Sequence, residues 1–153
     1  MIKREDDGIW VELNETIAAH YEEVFSLLTT PTGLTRWFPI EAKVDLRPGG
    51  QIVFSWNKDF TRTTTVAILD YDAGGKIVWD WQASHSEQHA PVYWTVKPDV
   101  EQGCKILLRQ GPFMETVDSL ITMAEEASNW RWQLCNLRSV LESSHDMRKV
   151  RPL

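Results

Sequence analysis

One polar loop comes nearest to a metal site in the spacing of its side chains. His85 and His89 lie four residues apart with Glu87 between them. On a helix this spacing would place both imidazoles on one face, but the stretch has turn composition and Pro91 follows it closely. The glutamate is also misplaced for the zinc motif His-Glu-x-x-His. We therefore interpret the loop as solvated and predict neither a metal site nor a cofactor.

The remaining reactive side chains do not assemble into a catalytic set. His20 stands near the start of a predicted helix and is interpreted as a structural or surface histidine. His145 is interpreted as solvent-exposed. Cys104 and Cys135 lack Cys-x-x-Cys spacing, and we expect Cys135 to face the sheet as a small hydrophobe. Neither a Gly-x-Ser-x-Gly element nor a phosphate-binding glycine loop is present. The sequence leaves enzymatic activity open but favours a binding role.

The tryptophan content points to a binding cavity. Eight tryptophans occur in 153 residues, and each is a large apolar side chain with one N–H donor. They favour either a thick core or an aromatic-lined pocket. The residues predicted to line a cavity are Trp37, Phe38, Trp56, Trp79, Trp81, Trp94, Trp130 and Leu134, with Asp80, Gln82 and Arg109 as polar residues that could reach inward.

Hydrophobic periodicity predicts the elements that position these residues. Residues 9–17 alternate as a half-buried strand, residues 19–29 have amphipathic helical spacing, and a second helical turn can start at Thr32. Turn signals then divide residues 40–112 into short strands joined by hairpins, which predicts an antiparallel sheet. The predicted strands cover residues 41–46, 51–56, 61–71, 76–82, 92–97 and 104–110.

An apolar stripe at Trp130, Leu134, Leu137 and Leu141 predicts a long C-terminal helix that begins near Asn129. Residues 115–127 are interpreted as a short helix or loop before it, and residues 148–151 as a solvated basic tail. We predict one α+β domain over residues 1–153. In this helix-grip arrangement, a curved antiparallel sheet of six or seven strands wraps around the C-terminal helix, and two short helices follow the first strand.

Composition limits the class of protein. The net charge of −6 argues against a nucleic-acid partner. The first residues lack the apolar region of a signal peptide, and no apolar run approaches the ~18 residues of a membrane span. Two widely separated cysteines are typical of a reducing compartment, so we expect a cytoplasmic protein.

Three motifs in order carry a resemblance to a known family. They are Leu34-Thr35-Arg36-Trp37-Phe38, Pro48-Gly49-Gly50 before Ile52-Val53-Phe54, and the final helix with Trp130, Leu134, Leu137, Leu141 and Glu142. Together they resemble the SRPBCC (START/polyketide-cyclase, helix-grip) superfamily, in particular the branch named after the activator of the ninety-kilodalton heat-shock protein ATPase. The eukaryotic activator carries an additional domain before this one, so the resemblance does not imply chaperone activation.

The resemblance and the residues together leave three hypotheses for function. The first is binding of a hydrophobic small molecule, such as a lipid or an aromatic or polyketide-like compound, in a cavity between the sheet and the C-terminal helix. The second is an interaction module for a chaperone or another protein. Separately, an exposed sheet edge leaves a homodimer open. The third is a cyclase- or hydratase-type enzyme that uses the cavity to shape its substrate.

Overall fold

The fold is an α+β arrangement built on one open, curved antiparallel sheet, as the sequence predicted. The computed structural model describes residues 1–101 and 103–150. The strands there are β1 (Ile2–Glu5), β2 (Gly8–Ile17), β3 (Glu41–Val44), β4 (Gln51–Ser55), β5 (Thr63–Asp72), β6 (Lys76–Trp79), β7 (Val92–Asp99) and β8 (Gly103–Phe113). The helices are α1 (Tyr21–Thr29), α2 (Pro31–Leu34) and α3 (Val117–Ser143), and a 3₁₀ turn spans Met147–Lys149.

The sheet order is β1-β2-β8-β7-β6-β5-β4-β3, and every neighbouring pair is antiparallel. The described residues therefore contain eight strands where the sequence predicted six or seven. The additional strand is β1, which pairs at the edge of the sheet with β2. Its sequence, Ile-Lys-Arg-Glu, is mostly charged and solvent-exposed. Charged residues are typical of a sheet edge, where they discourage pairing with another chain, and they leave no apolar alternation to detect.

The two short helices are held by side-chain caps. The His20 side chain accepts a hydrogen bond from the Glu22 backbone N–H (3.3 Å) at the start of α1. The Thr30 hydroxyl accepts one from the Gly33 N–H (3.0 Å), and Pro31 occupies the first position of α2. Both positions satisfy backbone donors that a helix start leaves free. His20 is exposed and caps α1, in agreement with the prediction of a structural or surface histidine.

Helix α3 begins at Val117, twelve residues before the predicted start at Asn129. Thr116 caps it by accepting from the Ser119 N–H (3.3 Å). The buried face runs through Ser119, Met123 and Glu126 before it reaches Trp130. These positions continue the helical spacing, but two of them are polar and interrupt the apolar stripe that the prediction followed.

The expectation that Cys135 faces the sheet was also wrong, because this residue lies on the exposed face of α3.

The apolar core lies between the concave face of the sheet, the short helices and α3. Its main cluster joins Ile17 of β2, Leu28 of α1, Ile68 of β5 and Leu137 of α3, all of which are buried.

The hairpin predicted at residues 72–75 connects β5 to β6. The strand predicted over residues 76–82 ends at Trp79, because the Trp81 N–H turns back to the Trp79 carbonyl oxygen (2.8 Å).

The segment after α3 is anchored, in contrast to the solvated tail that was predicted. The Arg148 side chain is 14% exposed and donates to the carbonyl oxygens of Thr35 (2.8 Å), Phe38 (3.0 Å) and Pro39 (2.8 Å). The loop after α2 leaves these carbonyls without strand or helix partners, and a guanidinium can donate to several of them at once. Arg151, which was part of the predicted tail, lies outside the described residues.

Within the described residues, no helix is both long enough and apolar enough to cross a lipid bilayer.

Candidate ligand-binding cavity

A cavity of about 490 Å³ lies beside the middle of α3. One side is formed by Phe38 from the loop after α2, Trp56 directly after β4, and Trp81 just beyond β6. The other side is formed by α3. The lining residues are Phe38, Trp56, Trp81, Ser84, Glu126, Ser128, Asn129, Trp130, Trp132 and Gln133.

Aromatic rings from both sides of this cavity meet in one continuous wall. The Phe38 ring centroid lies 5.2 Å from that of Trp56, 5.9 Å from that of Trp81 and 5.5 Å from that of Trp130. The Trp81 and Trp130 rings are 5.2 Å apart in an edge-to-face arrangement. These distances are those of direct aromatic packing. The rings support one another and present a preformed apolar surface to the cavity.

The eight predicted cavity residues fall into two layers. Phe38, Trp56, Trp81 and Trp130 border the cavity. The others, which are Trp37, Trp79, Trp94 and Leu134, are fully buried behind that layer and do not line it. The Trp37 indole N–H donates to the Leu27 carbonyl oxygen (2.7 Å), which ties this ring to α1. The structure thus brings all eight into one cluster, and their contact with a ligand stays a prediction.

The indole N–H groups of Trp79, Trp81 and Trp94 are buried without a hydrogen-bond partner. That of Trp130 is also buried, and it acts on the Glu126 carboxyl, whose pKa it helps to lower. Because the nitrogens of Trp81 and Trp130 have almost no accessible surface, the cavity meets the carbon atoms of these two rings. The aromatic wall is therefore apolar toward the cavity, although its members carry polar atoms.

Glu126 is the polar residue of the cavity that sequence reasoning missed. The residue is 1% exposed, and its Oε1 accepts a hydrogen bond from the Ser84 N–H (2.6 Å). Burial raises the pKa of this carboxyl, while the Ser84 N–H and the side chains of Gln110 and Trp130 oppose that shift. No lysine, arginine or histidine forms an ion pair with Glu126 in the described part of the chain.

A second buried polar group lies two turns farther along α3. Gln133 is 6% exposed, and its Oε1 has no hydrogen-bond partner. Glu126, Trp130 and Gln133 stand at i, i+4 and i+7, so they share one face of the helix. This spacing was visible in the sequence. It could have been used to find the polar residues of the cavity, had the helix been extended toward Val117.

The polar residues predicted to reach inward do not line the cavity. Asp80 pairs with exposed His89 (Oδ1 to Nδ1, 3.1 Å), and exposed Gln82 donates to the Ser86 carbonyl oxygen (2.9 Å). Arg109 lies on the outer face of the sheet, 4.3 Å from the Trp10 ring centroid. The register explains this placement, because Leu108 and Gln110 occupy the inward positions of β8 and leave Arg109 outward.

The loop that carries His85 and His89 lies at the surface. His85 and His89 are exposed, and no group of three potential ligands lies close enough to hold a metal ion in residues 1–101 and 103–150. The chemistry available in the cavity itself is that of one buried carboxyl beside an aromatic wall. In its neutral form this carboxyl can donate a hydrogen bond, and in its charged form it can accept several.

Comparison with known proteins places this architecture in a family. The family model described as "Activator of Hsp90 ATPase homolog 1-like protein" matches residues 18–142. This match confirms the resemblance indicated by the sequence motifs. Comparison with curated proteins found no significant match.

Solved structures share the fold at low sequence identity. The Aha1 dimer from Colwellia psychrerythraea is 20% identical with a TM-score of 0.71, over 88% of this chain and 96% of that chain. Protein SSP2350 from Staphylococcus saprophyticus is 14% identical with a TM-score of 0.76, over 91% and 96% of the two chains. The AHSA1-like protein from Aeromonas hydrophila is 16% identical with a TM-score of 0.67, over 88% and 93%. At these identities, the similarity shows the fold alone.

Proposed function

This chain belongs to the Activator of Hsp90 ATPase homolog 1-like family, and on that premise we propose that it binds a largely hydrophobic small molecule in the cavity beside α3. The observation that carries the proposal is the preformed aromatic wall of Phe38, Trp56, Trp81 and Trp130 around a space of about 490 Å³. Small-molecule sites usually occupy roughly 300–1,000 Å³ and combine apolar walls with a few polar groups.

The polar groups at the cavity would orient the ligand. Glu126 is held in place by the Ser84 N–H (2.6 Å), and Ser128 and Asn129 of α3 also line the cavity. A few fixed polar groups on an apolar wall contribute orientation and specificity, while buried apolar area supplies most of the affinity. We therefore expect a ligand with an aromatic or alkyl body and one polar end.

Native mass spectrometry of protein purified gently from its own host tests this function. The expected result is a stoichiometric adduct that is released on denaturation. The variant Ser128→Trp fills the cavity from an exposed helix position and should lose the adduct. The matched control Cys135→Trp adds the same ring at an exposed position of α3 outside the cavity and should retain it. Adducts in both variants, or a bare protein in all three, would contradict the proposal.

A second candidate function is protein interaction, in the form of self-association or contact with a chaperone. Met114, Val117 and Ile121 are exposed apolar residues close together in sequence around the start of α3. One solved relative in fold is described as a dimer. Light scattering after size-exclusion chromatography should show a dimer for the native chain and a monomer for Ile121→Lys. A monomer at high concentration of the native chain would remove self-association, and failure to retain a chaperone on the immobilised chain would remove the other form.

A further inference from the structure

We propose that the cavity is selective for an organic cation, a molecule that joins an apolar body to a positively charged nitrogen. This inference rests on the proposed binding function and specifies the chemical class of the ligand.

The charge of the lining is the first argument. Glu126 is the one ionisable side chain among the ten lining residues, and lysine, arginine and histidine are absent from that set. The whole chain carries a net charge of −6. The field around the site therefore attracts cations and repels anions.

The aromatic wall is the second argument. Aromatic ring faces carry negative electrostatic potential, and a cation within about 6 Å of a ring centroid is attracted to it, most strongly for tryptophan. Phe38, Trp56, Trp81 and Trp130 all border the cavity. The indole nitrogens of Trp81 and Trp130 are closed off from it, so these N–H donors do not offer a competing site for an anion.

The buried hydrogen-bond acceptors are the third argument. One turn on either side of Trp130, α3 carries the Glu126 carboxyl and the Gln133 Oε1, and the latter has no partner. Such groups are costly to bury unpaired. A ligand that brings N–H donors or positive charge to this face of α3 would satisfy them, whereas a carboxylate or phosphate would add a further acceptor beside them.

The protonation of Glu126 follows from the same geometry. Burial without a basic partner raises the pKa of its carboxyl, and a bound cation would supply the missing counter-charge. Cation binding should therefore be accompanied by proton release, and the affinity should rise with pH up to the raised pKa. Besides Glu126, the titratable side chains that border this end of the site are Glu125 and His85.

The test compares two ligands of the same shape and different charge. Benzyltrimethylammonium and its uncharged carbon isostere neopentylbenzene are titrated into the full chain, and tryptophan fluorescence reports binding. We expect the cation to bind roughly 10-fold tighter than the isostere, because the charge of the Glu126 carboxyl adds to the attraction of the ring faces. Glu126→Gln should remove most of this preference and leave the affinity for neopentylbenzene within about twofold.

The matched control is Glu125→Gln, which removes the same charge one residue away at an exposed position. Because exposed charges are screened by salt, this variant should keep the preference for the cation. Equal affinity of both ligands would overturn the cation inference and leave the binding function standing. Tighter binding of phenylacetate than of benzyltrimethylammonium would have the same meaning. A preference that survives Glu126→Gln would overturn the role given to Glu126 in that preference. If none of these ligands binds, both the inference and the proposed function fail.

Discussion

Glu126 is the residue on which the chemistry of the cavity depends. It is buried on α3 next to Trp130, and the Ser84 backbone fixes one of its oxygens. Burial of a carboxyl without a basic partner costs free energy. A buried carboxyl with a raised pKa at a cavity is a candidate for a role in binding.

The buried carboxyl should give the protein a characteristic dependence of stability on pH. Because burial raises the folded-state pKa of Glu126, the folded chain holds this proton more tightly than the unfolded chain. The free energy of unfolding should therefore fall as the pH rises from the ordinary glutamate pKa to the raised value, by at most about 1.4 kcal/mol per pH unit for one proton.

Urea denaturation of Glu126→Gln across this pH range checks the effect. The variant keeps a side-chain oxygen for the Ser84 N–H but cannot ionise, so its advantage in stability over the native chain should grow with pH. The control Glu125→Gln should give a pH profile parallel to that of the native chain. A constant difference between Glu126→Gln and the native chain would contradict the pKa direction given above.

At the scale of elements, α3 and the segment after it position the site. Helix α3 is continuous from Val117 to Ser143, and this continuity carries Glu126 to the same face as Trp130. The apolar residues Trp130, Leu134, Leu137 and Leu141 were sufficient to predict the C-terminal half of the helix. The N-terminal half could not be predicted in the same way, because Ser119 and Glu126 are buried polar residues and the apolar pattern loses its period there.

Proline substitutions test whether α3 is one helix. Ala124→Pro would remove an internal backbone hydrogen bond and clash with the preceding turn, and we expect it to lower the free energy of unfolding by about 3 kcal/mol. Val117→Pro replaces the first helical residue, where proline is well tolerated, and should change stability little. Thermal unfolding followed by circular dichroism measures both. Equal effects would indicate that the helix starts nearer Asn129.

The segment after α3 holds the loop that carries Phe38 in place through hydrogen bonds. Arg148 donates to three carbonyl oxygens of that loop, and Asn136 of α3 donates to the Trp37 carbonyl oxygen (2.9 Å). We expect Arg148→Ala to destabilise the fold by roughly 2–4 kcal/mol, because hydrogen bonds from a charged donor are lost and the carbonyls remain partly buried.

The control for Arg148→Ala is Lys149→Ala, since Lys149 is exposed in the same 3₁₀ turn. Its effect on chemical denaturation should stay within about 0.5 kcal/mol, as is usual for a surface substitution. If Arg148→Ala were as mild as Lys149→Ala, the contacts of Arg148 would have no energetic role in holding Phe38 at the cavity.

At the scale of the whole molecule, the fold was predictable and the cavity only partly so. Turn residues and period-two alternation defined seven strands, and the ordered motifs indicated the family. The sequence also selected the aromatic residues that meet in one cluster. It could not divide Phe38, Trp56, Trp81 and Trp130 from the layer behind them, because that division depends on how far the sheet curves away from α3. The expectation that Arg109 could reach inward failed for a related reason, since a one-residue difference in register reverses every side chain of a strand.

The central claim, that a small molecule binds beside the aromatic wall, is tested most directly by the indole N–H signals in a ¹H–¹⁵N spectrum. Uncharged aromatic compounds with one and two rings are added to ¹⁵N-labelled full chain. The account predicts shifts for Trp81 and Trp130, which border the cavity. It predicts no shift for Trp10, whose indole N–H bonds to Asp7 (2.9 Å) and whose ring packs on the outer-face residue Arg109. Unchanged signals with every compound, or shifts at Trp10 as large as those at Trp81 and Trp130, would contradict it.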